Sequence, residues 1–135
     1  LIREAALEDL DLALSHAKEF CLKHPRGLEY CERSARKTLK TLIEHKDGVL
    51  FVSETGVFGA SIQPMLFNDQ YRQAIEHFWY GDRLMFRHFE KWAKSHGVSA
   101  VAVGSTHGIG HERVGKHYER RGYKPAEHAF VKELA

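Results

Sequence analysis

The sequence predicts an α/β fold, a central mixed sheet flanked by helices. Three observations predict it. Two helical stretches come first, with apolar residues three and four apart. The turn Glu54-Thr55-Gly56 then joins two short apolar runs into a hairpin. After the hairpin, strand-like and helix-like periods alternate to the C-terminus, an order that lays helices on both faces of a sheet. The 135 residues suit one domain, 1–135, with one core. With 43% hydrophobic and 28% charged residues, the chain reads as folded and soluble rather than disordered.

Taken in order, residues 1–3 form a short first strand. Residues 5–20 form a helix, with Leu7, Leu10, Leu14 and Ala17 near one face. Asp9 and Asp11 sit early in it and Lys18 late, as the helix dipole favours. His24-Pro25-Arg26-Gly27 breaks the chain. A second helix spans 28–45, with Leu39, Leu42 and Ile43 as its buried stripe and its many Arg and Lys residues on a solvated face. The hairpin strands are 49–53 and 57–64, and residues 67–70 end that unit. A strand over 73–80 follows. Strict alternation puts Ala74, Glu76, Phe78 and Tyr80 on one face and Ile75, His77 and Trp79 on the other. Glu76 is then a carboxylate among apolar neighbours, with an edge-strand Glu facing water as the plainer reading. Residues 82–96 form a helix carrying Leu84, Phe86, Phe89, Trp92 and Ala93, capped by Gly97. A short apolar strand, 98–104, leads through a polar loop to a late helix. There Val114, His117, Tyr118 and Arg121 share a side, and Gly122 is the C-cap. The final strand is 123–133, with the run A-F-V-K-E-L.

The end of the late helix, Tyr118-Glu119-Arg120-Arg121-Gly122-Tyr123, resembles the C-terminal part of the Gcn5-related N-acetyltransferase superfamily. The opening Ile2-Arg3-Glu4-Ala5, followed by Glu8-Asp9-Leu10, resembles that family's first strand and helix. The likeness spans nearly the whole chain in element order. It implies an acetyl-coenzyme A-dependent N-acetyltransferase, with acetyl-coenzyme A as acyl-donor cosubstrate and a primary amine, on a small molecule or a protein, as acceptor. It implies a slot between strands 73–80 and 98–104. Backbone around Trp79, Tyr80 and Gly81 would face the pantetheine arm there, and Arg83 would attract the pyrophosphate. It implies Tyr118 as the proton donor to coenzyme sulfur and Glu76 as a base acting through water, with His77, His107 and His111 as alternatives. The sequence departs from the family at one place. The Arg/Gln-x-x-Gly-x-Gly/Ala loop that holds the pyrophosphate is absent, and F-W-Y-G runs straight into D-R-L-M-F. The expectation is an omitted glycine-containing loop at the 81/82 junction.

Other readings stay open. The chain could be a noncatalytic acyltransferase-like binding module. Arg33, Arg36, Lys37 and Lys40 could face nucleic acid, but the run is short, acids surround it, and the formal charge is only +2, so nucleic acid is not expected. His107 and His111 straddle glycines rather than sharing a helix, and no H-E-x-x-H occurs, so no metal is expected. Two cysteines, Cys21 and Cys31, fit a reduced cytoplasmic setting. No apolar run is long enough for a bilayer, so no membrane partner is expected. A homodimer is an expectation from the resemblance alone.

Overall fold

The computed structural model describes residues 1–105 and 111–134. The chain divides into two compact units, Leu1–Gly104 and Ser105–Ala135. In the first unit, β1 (Arg3–Glu4) is followed by a short 3-10 turn, Leu7–Asp9, then α1 (Leu10–Lys23) and α2 (Glu32–Glu44). The strands β2 (Gly48–Ser53), β3 (Gly56–Met65) and β4 (Asn68–Tyr80), the helix α3 (Met85–Ser95) and the strand β5 (Ala100–Ala102) complete it.

The five strands form one sheet in the order β1-β2-β3-β4-β5. All neighbours are antiparallel except β4 and β5, which are parallel. This is the mixed sheet the sequence predicts. One face carries α1 and α2. Ala13, Leu14, Leu39 and Leu42 pack there with Leu50, Val52 and Val57. The opposite face carries α3, where the Phe58 and Phe89 rings lie 4.9 Å apart and Trp79 stacks on Phe86 at 5.8 Å. Period-two alternation in β2 and β3 feeds both cores, so these strands are apolar along most of their length.

Several boundaries differ from the sequence reading. α1 starts later than residue 5 because Asp9 turns back: its carboxylate accepts the Ala6 N–H at 2.9 Å and pairs with Arg3 at 2.7 Å. α2 starts at Glu32 because Cys31, its N-cap, is extended (φ −122°, ψ 109°). The largest difference is in β4. The sequence ends the hairpin at 67–70, but Met65 pairs with Asn68, so only Leu66 and Phe67 turn the chain and β4 begins at Asn68.

The second unit holds α4 (His111–Arg120). Its end is a Schellman motif, in which the Gly122 N–H donates to Glu119 O and the Tyr123 N–H to Tyr118 O, at 3.1 Å each. Gly122 sits at φ +91°, a conformation that glycine reaches without a Cβ penalty. The rings of Tyr118 and Tyr123 lie 5.7 Å apart, which is the apolar contact that accompanies this cap. The expected final strand, 123–133, is not present: residues 123–134 carry no strand, and Phe130, Val131 and Leu134 are exposed. An alternating sequence makes a strand only where a neighbouring strand takes its backbone hydrogen bonds.

Candidate functional site

β4 organises the site through one extra residue. On β3, the neighbours Gly59 and Ala60 pair with Phe78 and Glu76, so His77 has no opposite number. This is a β-bulge, and it reverses the facing of everything beyond it. Ala74 and Glu76 lie opposite Ile62 and Ala60, on the α3 face. Phe78 and Tyr80 pack on the α1/α2 core, while Trp79 packs with Phe58 and Phe86 on the α3 face. The strict alternation read from the sequence, with Glu76, Phe78 and Tyr80 on one side, is therefore corrected at His77.

The same point is where β4 parts from β5. Among the described residues the two strands pair only at Gln73–Ala100, Ala74–Val101 and Ile75–Ala102, while β4 stays paired to β3 as far as Tyr80. Among the described residues, the β5-side edge of β4 beyond Ile75 thus has no strand neighbour. Glu76 stands at the start of this opening, and its carboxylate accepts the Gly104 N–H at 2.9 Å across it. Burial pushes the Glu76 carboxyl up, and the Gly104 N–H partly offsets that by favouring the charged form. His77, on the strand's next residue, shares a 2.6 Å hydrogen bond between Nε2 and Ser61 Oγ. Burial pushes its imidazole down, toward the neutral form.

Just past the bulge, His77 and Phe78 form one wall of a pocket of about 480 Å³. α1 supplies Phe20 and Cys21 to it, the α1–α2 connection supplies Glu29 and Tyr30, and α2 supplies Thr38 and Leu39. Cys31 also lines it, and both cysteines are free thiols. Sequence reasoning did not single out Phe20, Glu29 or Tyr30. The signal available was the break at 24–27, which marks the connection that carries Glu29 and Tyr30 between the two helices.

The sequence-predicted coenzyme residues lie at the end of β4. Gly81 follows at φ +84°, and a Cβ there would collide with the Thr55 carbonyl. Gly81 passes directly to Asp82 in a tight turn. Asp82 accepts the Leu84 N–H through Oδ1 at 3.0 Å, and its carbonyl accepts the Trp79 indole N–H at 3.0 Å. Tyr80 takes a 3.0 Å hydrogen bond from Lys23 Nζ on its hydroxyl. Arg83 is exposed. The free edge of β4 fits an amide-rich chain such as a pantetheine arm, which pairs with backbone as a strand does. The α3 N-terminus fits a pyrophosphate poorly, because the Asp82 carboxylate already takes an N–H there and adds like charge.

The remaining predicted residues are in the second unit. Tyr118 is the buried residue of α4. His111 shares a 2.9 Å hydrogen bond with Ser105 Oγ. His107 lies outside the described residues. Among the described residues no group of three or more His, Cys, Asp or Glu is placed to hold a metal ion, and no helix is long and apolar enough to cross a membrane. Of the four α2 cations, Arg36 pairs with Asp11 at 3.4 Å.

No family model matches this chain, and no curated protein sequence does. Solved structures match along its length. An aminoglycoside 6'-N-acetyltransferase from Acinetobacter haemolyticus has a TM-score of 0.70 at 14% identity, covering 100% of this chain and 99% of its own. A protein described as a transcriptional regulator from Bacillus halodurans gives 0.75 at 16%, covering 99% of each chain. A predicted acetyltransferase from Clostridium acetobutylicum, solved with acetyl-coenzyme A, gives 0.72 at 13%, covering 99% of this chain and 96% of its own.

Proposed function

Proceeding from a fold that is that of the Gcn5-related N-acetyltransferases, we propose that this chain is an acetyl-coenzyme A-dependent N-acetyltransferase acting on a primary amine. The observation that supports it is the parting of β4 from β5 at a bulge whose next residues line a pocket. A strand edge free on one side and a pocket on the sheet face meet at His77. An acyl chain held along the edge would end beside an acceptor held in the pocket, and such alignment removes much of the entropic barrier. The binding of a solved neighbour to acetyl-coenzyme A is in keeping with this reading.

Acetyl-coenzyme A supplies an activated acyl thioester. In the transfer, the amine nitrogen bonds to the acetyl carbon as the carbon–sulfur bond breaks, and sulfur leaves with the electron pair. The nitrogen loses a proton and the sulfur gains one. Two proton acceptors stand at the bulge on opposite faces. His77 lines the pocket, is held by Ser61 and is shifted toward its neutral form by partial burial, so it takes the amine proton. A second reading gives that role to Glu76 through water. Its raised carboxyl favours it, since a base near the working pH is the more effective one. Backbone N–H groups on the free β4 edge polarise the acetyl oxygen. The Tyr118 hydroxyl donates to the leaving sulfur, as the resemblance implies. Trp79, Tyr80 and Gly81 serve through backbone, and Arg83 is the cation nearest the Gly81 turn in sequence.

Isothermal calorimetry with acetyl-coenzyme A, followed by an assay of thiol release on adding amines, tests the reading. Saturable binding with amine-dependent thiol release is expected. Binding without release would favour the noncatalytic module, and no binding would sink both.

A further inference from the structure

We infer that the pocket between α1, α2 and β4 selects a compact monoamine with an apolar or aromatic body, and that Glu29 binds its ammonium group. This rests on the acetyl-transfer reading for its chemistry, though not for its binding. The walls carry the argument. Phe20, Tyr30, Leu39 and Phe78 give the pocket an aromatic and aliphatic lining. Glu29 is the one carboxylate among its lining residues, and no lysine or arginine lines it. A single carboxylate matches one ammonium group. A polycationic acceptor would find no second carboxylate for its further ammonium groups, and much of the remaining lining is carbon, where an unpaired polar group is costly. An aminoglycoside, the acceptor class named for one structural neighbour, is such a molecule. The volume, about 480 Å³, falls in the range of small-molecule sites.

The geometry also orders the proton traffic. Glu29 is exposed and His77 lies on the β4 wall, so the acceptor meets the carboxylate from solvent and the imidazole at the sheet. With Nε2–H donating to Ser61 Oγ, Nδ1 is left as the ring's acceptor. The ammonium gives one proton to solvent to become a nucleophile. After the nitrogen–carbon bond forms, the second proton goes to His77 and the sulfur takes one proton. One proton is released in sum.

The test compares 2-phenylethylamine, kanamycin and a lysine-containing peptide. Each is titrated into the protein by calorimetry and assayed for transfer with acetyl-coenzyme A. Phenylethylamine should bind, and Glu29→Gln should weaken it about 10-fold, a change of one charge contact. Glu29→Asp should restore part of the loss. In transfer, phenylethylamine should exceed kanamycin in kcat/KM by about 10-fold or more, with Glu29→Gln acting on KM rather than kcat. Preference for kanamycin or the peptide, or phenylethylamine binding that ignores Glu29→Gln, overturns the inference. Glu29-dependent binding without transfer upholds this pocket and counts against acetyl transfer.

Discussion

At the scale of residues, Tyr118 has two parts that can be separated. Its carbonyl and ring belong to the Schellman cap, accepting the Tyr123 N–H and meeting the Tyr123 ring. The hydroxyl is what acid catalysis would use. Tyr118→Phe keeps the carbonyl and the ring, so it removes the donor alone. We expect the single-turnover transfer rate to fall by ~10- to 1000-fold, the range for a positioned acid or a polar transition-state contact. An unchanged rate in rapid-quench kinetics would leave Tyr118 as a capping residue. Glu76 offers a stability test with a definite sign. Burial raises its folded pKa above the ordinary 4.5, so the native state holds a proton that the unfolded chain has already lost. Stability therefore falls as pH rises from the unfolded value to the raised native one. Glu76→Gln keeps an acceptor for the Gly104 N–H and carries no charge. The variant should match the wild type in acid and be the more stable of the two above that window, measured by urea midpoints across pH. A variant less stable at neutral pH would mean that the carboxylate is held favourably.

At the scale of elements, the bulge in β4 decides what the strand presents. One unpaired residue sends Phe78 to the pocket face and leaves Glu76 on the other. Gly59, opposite Phe78 on β3, is what makes this possible. A Cβ there would run into the Phe78 ring and come within 2.9 Å of Leu42 Cδ1. Gly59→Ala should therefore push the ring out of place and destabilise the protein by about 1–3 kcal/mol, as overpacking does. Chemical denaturation gives the stability, and weaker amine binding would report the disturbed pocket wall. A variant as stable as the wild type would show that Phe78 moves freely aside. The turn after β4 is equally constrained. Gly81 takes the left-handed conformation against Thr55, and Asp82 commits its carboxylate to Leu84 and its carbonyl to the indole of Trp79. This leaves the backbone edge of β4 as the better-suited surface for a coenzyme arm.

At the scale of the whole molecule, the first unit is a sheet sandwiched between two helical layers. α1 and α2 cover one face with Ala13, Leu14, Leu39 and Leu42, and α3 covers the other with Phe86 and Phe89. The α1–α2 layer is split where the chain turns between the helices, and the pocket lies in that split. The fold thus places a pocket on one face and a strand opening at the sheet edge, with His77 on the pocket wall just past the last β4–β5 pair. Acetyl transfer needs such a meeting of two substrates, and a plain binding module needs only one of the two features.

Much of this was legible in the sequence because it is local. Apolar residues three and four apart announce α1, α2 and α3, and Glu54-Thr55-Gly56 announces the β2–β3 hairpin. Gly122 announces its own cap, since a helix end requires only its last turn and the residues just beyond it. The alternating residues 123–133 announced a strand that the structure lacks, because a ladder depends on a partner that local pattern does not contain. The facing of Phe78, Trp79 and Tyr80 was hidden for the same reason: a bulge is defined by the register of β3 against β4, not by β4 alone. Glu76 was readable as an odd carboxylate, but its hydrogen bond to Gly104 joins residues 28 apart in the chain. Glu29 and His77 line one pocket although 48 residues separate them, by subtraction of their numbers. The sequence by itself determined the elements and the caps, which follow from nearest neighbours along the chain. Only the tertiary structure decided which side chains share a cavity, because that is set by strand register and by how helices pack across the sheet.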